Sequence, residues 1–175
     1  MAYEYIFGKE LNFENLKTAH SILSANLLPA SQQGLVRTNS MFVINSNDRI
    51  DYVAAEPSKL DTELQRLFAD IEYLLRTELS HEEVLYFGSY IHLVFVNIHP
   101  FQDGNGRSAR LLEKWFLIQK LGEKATAIQL EKNYYLNFQL YYRNLRILGI
   151  DYELIDYNKA LDFLLMTVNG LINQN

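Results

Sequence analysis

Cysteine is absent from this 175-residue chain. Neither a disulfide nor a thiolate metal site can be built, and a reducing compartment is weakly favoured. Proline occurs only three times, at Pro29, Pro57 and Pro100. Each falls between segments of different periodicity, so the prolines punctuate the chain rather than interrupt its elements. Basic residues are also short: 16 Lys and Arg against 21 Asp and Glu leave a net charge of -5 and a pI of about 5.4. No basic face is evident, which argues against a nonspecific nucleic-acid binder. Long hydrophobic runs are missing too. The most apolar stretch, Ile91–Ile98, contains His92 and Asn97 and is too short to span a bilayer. The start, Met1-Ala2-Tyr3-Glu4-Tyr5, has no basic region ahead of an apolar one, so a secretory signal is not expected and the cytoplasm is the expected location.

Apolar residues make up 49% of the chain and charged residues 21%, the balance of a globular protein. With no repeat and no low-complexity linker, one domain over residues 1–175 is the simplest organisation. Leu16, Ala19, His20, Leu23 and Leu27 recur at helical spacing over residues 12–28, with Asn12 placed to cap them. Met41-Phe42-Val43-Ile44 and Ile50-Asp51-Tyr52-Val53 are β-prone runs flanking turn formers at 45–49, which predicts a hairpin. Residues 60–76 form an amphipathic helix. Ser80 and Glu83 make a capping-box pair ahead of a helix to about Asn97 that is apolar on nearly every side and therefore central. Further helices are expected over 107–121, stopped by Gly122, and over 132–148 and 157–172. The expected fold is mainly α: a compact helical domain with one β-hairpin, its core spanning about residues 10–150.

The chemistry concentrates in His99-Pro100-Phe101-Gln102-Asp103-Gly104-Asn105-Gly106-Arg107-Ser108-Ala109-Arg110. Gly104 and Gly106 let the backbone approach a ligand closely where a helix begins. That helix start presents free N–H groups and the positive end of its dipole, an anion site. Arg107 and Arg110, three apart, share neighbouring parts of one face, and two guanidiniums there suit a polyphosphate. Asp103 would repel bound phosphates unless a hard cation bridged them, which points to Mg2+. His99 can take a proton near neutral pH. Each residue also has a plainer reading: a turn histidine, a turn carboxylate, an N-cap, a surface arginine. Those readings do not explain why all of them fall in register.

This segment resembles the Fic motif, H-P-F-x-D/E-G-N-G-R-x-x-R, at every specified position. His92 seven residues ahead of His99, and Gly34-Leu35-Val36-Arg37 before the hairpin, extend the resemblance over roughly residues 10–150. The resemblance implies a protein adenylyltransferase that moves AMP from ATP to a Ser, Thr or Tyr hydroxyl. It implies that His99 is the general base, that Asp103 holds Mg2+ across the α- and β-phosphates, and that Asn105 orients the α-phosphate. The Gly104–Gly106 amides would cradle phosphate oxygens, Arg107 the β-phosphate and Arg110 the γ-phosphate, with Ser108 counted in the nucleotide-binding set. Tyr134 and Tyr135 match a pair that contacts nucleotide in some relatives, whereas Tyr142 replaces an Asn there. Met41, Phe42 and Val43 would pair with the target segment as an added strand. His92 is expected as a hydrogen-bonded core residue; His20 and His81 carry no signal.

Two other functions stay open on the same resemblance. Doc-like relatives transfer phosphate, but carry Lys where this chain has Gly106. Self-restrained relatives carry S/T-x-x-x-E-G/N, yet no Ser or Thr here has a Glu four residues on. Restraint would then come from a separate antitoxin-like protein, from homo-oligomerisation, or be absent.

Overall fold

The computed structural model describes residues 2–44 and 47–172. Asn45 and Ser46, the first part of the expected turn, lie outside the described residues, as do Met1 and residues 173–175. Chain order is α1 (Ala2–Ile6), α2 (Phe13–Ser24), the hairpin β1 (Phe42–Ile44) and β2 (Ile50–Val53), α3 (Pro57–Arg76), α4 (His81–Ile98) and α5 (Asn105–Leu121). After a 3-10 stretch at Gly122–Ala127 come α6 (Leu130–Leu136), α7 (Phe138–Leu148), two 3-10 turns and α8 (Leu161–Ile172). The mainly helical fold with one antiparallel hairpin is as the sequence predicts. No helix among the described residues is long and apolar enough to cross a membrane.

α4 is the central element, with Ile91, Leu93, Phe95 and Ile98 buried. It packs on α5, which buries Leu112, Trp115 and Phe116, and on α3 and α8. Ser80 and Glu83 exchange the reciprocal bonds of a capping box at its start. Asn12 caps α2 by accepting from the Asn15 N–H at 2.9 Å. α2 ends at Ser24 rather than running to 28. The Ser24 hydroxyl turns back onto the His20 carbonyl at 2.7 Å, competing with the helical ladder. Pro57 opens α3 from its first turn, where its missing N–H is not needed.

The helix expected over 132–148 is two helices. Asn137 sits at φ -111°, ψ 30° between α6 and α7, with its side-chain amide bonded to the Asn133 carbonyl at 2.9 Å. The Asn137 backbone N–H bonds the same Asn133 carbonyl at 3.1 Å, so the side chain doubles a backbone bond at the point where α6 gives way to α7. The expected helix over 157–172 opens as a 3-10 turn at Tyr157–Lys159, and α8 proper starts at Leu161.

Candidate active site

His99 ends α4 in the left-handed conformation, φ 55° and ψ 58°. For a residue with a Cβ this is uncommon, and the following Pro100 restricts it further. Neighbours hold the conformation in place. Arg37, almost fully buried, donates from Nε to the His99 carbonyl at 2.7 Å. Its other donors reach the carbonyls of Asn39 at 2.7 Å, Ala55 at 2.6 Å and Ile98 at 3.4 Å. A cation on the last carbonyls of α4 also suits the negative end of the helix dipole. Backbone pairing of Arg37 N–H with the Pro100 carbonyl at 2.9 Å, and a bridge between Val36 and Phe101, complete the clamp.

The imidazole orientation follows from its partner. Nδ1 lies 3.1 Å from the Val96 carbonyl, which can only accept. Nδ1 therefore carries the proton in the neutral ring, and Nε2 keeps the lone pair a base needs. Burial, reinforced by the nearby Arg37 charge against the Val96 bond, pushes the His99 pKa down to about 4.

The loop from Phe101 to Asn105 is closed by side chains. Asn105 accepts from the Phe101 N–H and donates to the Phe101 carbonyl, both at 2.8 Å, so its amide acts as a surrogate backbone unit. Gly104 takes φ 80°, and a Cβ there would meet His20 Nε2 at 3.2 Å. Glycine is required on both counts. Among the described residues no side chain caps the α5 start, so its first-turn N–H groups, which have no intrahelical acceptor, face outward uncapped. Asp103 is more than half exposed, with Oδ2 3.3 Å from Arg107.

His20 is a residue that positions this loop and that the sequence did not flag. It is fully buried beneath the loop, its ring stacked on Phe101 with centroids 3.8 Å apart. Nδ1 accepts from the Gly34 N–H at 2.9 Å, so Nε2 is protonated and donates to the Asp103 carbonyl at 2.9 Å. Burial lowers its pKa and keeps the ring neutral. One imidazole thus ties the segment ahead of the hairpin to the loop that carries Asp103. Its available signal was a polar residue in the apolar stripe of α2.

The three arginines divide by partner. Arg37 is saturated by carbonyls. Arg107 shares itself between the Leu23 carbonyl at 3.2 Å and Asp103. Arg110 makes no hydrogen bond or salt bridge among the described residues and is only partly buried. A guanidinium so placed can pair with an anion.

His99, Asp103, Gly104, Asn105, Gly106, Arg107 and Arg110 line one cavity of about 340 Å3, together with Val43 of β1. Its other walls include Asp51 and Tyr52 of β2 and Tyr141, Tyr142, Leu145 and Arg146 of α7. Ser108 is not on this surface: it is buried, and its hydroxyl has no partner among the described residues. Tyr134 and Tyr135 line an adjoining groove that shares Arg107 and Arg110 with the cavity. Tyr135 is 79% exposed, whereas Tyr134 is buried and donates to Glu113 at 3.1 Å. Met41 and Phe42 do not line the cavity, and Phe42 points half-exposed to solvent.

Beneath the site lies a closed polar network. Glu113, fully buried, accepts from His92 Nδ1 at 2.7 Å, from Tyr134 and from Thr167 at 2.6 Å. His92 Nε2 then accepts from the Tyr141 hydroxyl at 3.1 Å. Burial holds the His92 pKa down despite Glu113 and drives those of Tyr134 and Tyr141 up, so all three stay neutral. The expectation of a hydrogen-bonded core role for His92 is met.

The pattern of the Fic/DOC family matches residues 10–117. The chain belongs to the Fic/DOC family. A Fic family protein from Desulfovibrio desulfuricans superposes with a TM-score of 0.72 at 19% identity, over 98% of this chain and 50% of that one. A Fic domain containing signaling protein from Bacteroides thetaiotaomicron gives 0.72 at 17% identity, over 98% and 65%. BepC of Bartonella tribocorum, a VirB-translocated effector with bound AMPPNP, gives 0.58 at 16%, over 96% and 79%. These likenesses carry the fold. The chain spans half the length of the first and 65% of the second. Family membership supports a Fic-type transferase, generally of nucleotidyl or phosphate groups.

Proposed function

We propose that this Fic/DOC chain transfers AMP from ATP to a side-chain hydroxyl of another protein. The observation that carries the proposal is one cavity joining a base-ready imidazole to an anion site with an unengaged guanidinium. His99 Nε2 takes the proton of the target hydroxyl, whose oxygen attacks the α-phosphorus. The bond from the α-phosphorus to its bridging oxygen breaks, and pyrophosphate leaves. The N–H groups opening α5, with Arg107 and Arg110, hold the phosphate charge throughout, so catalysis is mostly positioning and preset electrostatics.

Asp103 is the residue that would hold Mg2+. Its carboxylate is exposed toward the cavity, and no cluster of three or more metal-binding side chains occurs among the described residues. One carboxylate plus substrate phosphates is the usual way Mg2+ is held. The ion would supply charge neutralisation on the phosphates.

Gly106 favours AMP transfer over the Doc-like alternative. A Cβ built there would come into contact with Arg110 at 3.5 Å, so a lysine would place a second cation beside that guanidinium. Phe42 and Ile44 are exposed apolar residues on a strand whose outer edge has no neighbour among the described residues. They support target docking by strand addition. The test is labelling of host proteins with ATP carrying label at the α- or the γ-phosphate. AMP transfer labels only from the α position. Label only from the γ position overturns the proposal in favour of phosphate transfer.

A further inference from the structure

The nucleoside half of the substrate has its own walls. With the α-phosphorus beside His99 and the remaining phosphates at Arg107 and Arg110, the sugar and base must fill the rest of the cavity. That remainder is bounded by Val43, Asp51, Tyr52, Tyr142, Leu145 and Arg146. Val43, Tyr142 and Leu145 offer apolar faces of the kind that sandwich a ring. The Tyr52 hydroxyl is already committed, donating to the Asn97 carbonyl at 2.7 Å. The charged groups on this part of the wall are Asp51 and Arg146, held together at 2.5 Å. Their side chains are 16% and 50% exposed, so the pair is a partly desolvated acceptor and donor at the cavity surface.

We infer that the Asp51–Arg146 pair reads the polar edge of the nucleoside. This inference rests on the proposed triphosphate site. The Asp51 carboxylate accepts from an N–H or O–H of the nucleoside, and Arg146 donates to an adjacent acceptor. The pair also spans from β2 to α7, near the backbone bond from Val53 N–H to the Ile150 carbonyl at 2.8 Å. A mere latch between hairpin and helix is therefore the alternative to exclude.

The experiment measures binding of Mg2+-ATP and of inorganic tripolyphosphate by calorimetry, with thermal unfolding as a check on folding. D51A and R146A should each weaken ATP about tenfold, the size of one charge-assisted hydrogen bond. Tripolyphosphate, which lacks a nucleoside, should bind both variants as it binds wild type. Should D51A not fold, R146A carries the same comparison. The exchanged variant D51R/R146D restores the ion pair but swaps donor and acceptor. A latch would recover wild-type ATP affinity in it, which overturns the inference; a reading pair stays weak. Equal losses for ATP and tripolyphosphate, or no loss for ATP, also overturn it. Failure of the triphosphate site itself is separate, because R110A would then leave tripolyphosphate binding unchanged.

Discussion

Across the cavity from each other stand two walls with different degrees of anchoring. On the motif wall, Arg37, His20 and Asn105 each commit at least one polar atom to a backbone group of residues 98–103. On the hairpin wall, two short strands pair with each other, β2 is tied to the chain beyond α7 through Val53, and Phe42, Ile44 and Ile50 leave half or more of their surface in water. The first arrangement holds a strained histidine in one geometry, as chemistry at a phosphorus requires. The second leaves backbone and apolar surface available to a partner. One wall is built to be complete alone, and the other is completed by what binds.

Removing the reacting group from the anchored wall gives the largest effect. H99A should lower transfer from α-labelled ATP by about 10²- to 10⁴-fold, the range of general-base catalysis, while ATP affinity is kept. Wild-type rates in H99A would remove the imidazole from the chemistry and leave the anchoring without a purpose.

Loosening the anchor comes next. R37M strips a buried cation from four carbonyls and should cost about 3 kcal/mol of unfolding free energy. It should also slow transfer, because the left-handed turn at His99 loses its restraint. Denaturant unfolding with the transfer assay checks both. A variant as stable as wild type would show that the clamp is incidental.

The hairpin wall predicts a smaller and more selective loss. F42D should reduce kcat/KM for the protein target about fivefold, near 1 kcal/mol of docking energy, and leave ATP binding alone. If ATP affinity falls instead, the hairpin serves the nucleotide side and the contrast between the walls breaks down.

The same contrast governs what could be read from the chain. The motif is contiguous, so its glycines, carboxylate and arginines announce themselves, and Asn12 and Ser80 cap helices within three residues. The anchors are remote. His20 reaches the Asp103 carbonyl over 83 residues and Arg37 reaches His99 over 62. Arg146 meets Asp51 over 95, and Thr167 meets Glu113 over 54. Spacing rules describe one helix or one strand, so partners of this kind have no pattern to detect. Tyr134 shows the converse. Its helical spacing was legible, but spacing does not tell that its hydroxyl meets Glu113 and Thr167 in the core. Ser108, read with the nucleotide set, turns into the core for the same reason: helix position alone does not tell which side is lined.

The mildest prediction concerns acidity, and it tests the anchored wall without altering a residue. An ordinary histidine titrates near 6.5, so a base of that kind would lose half its activity by then. Burial holds His99 down at about 4, and a depressed pKa keeps the ring neutral at every pH above it. Since kcat/KM reports the free enzyme, its acid limb should fall near pH 4, with less than about a twofold change between pH 7.5 and 5.5. The linked effect on stability has a definite sign. The unfolded chain binds a proton more readily than the folded one between about 4 and 6.5, so this residue's contribution weakens as pH falls through that window and is fully present above it. H99A should flatten that part of the stability profile. An acid limb near 6.5 would mean that water reaches the ring freely, and that the anchoring fixes its position without shielding it.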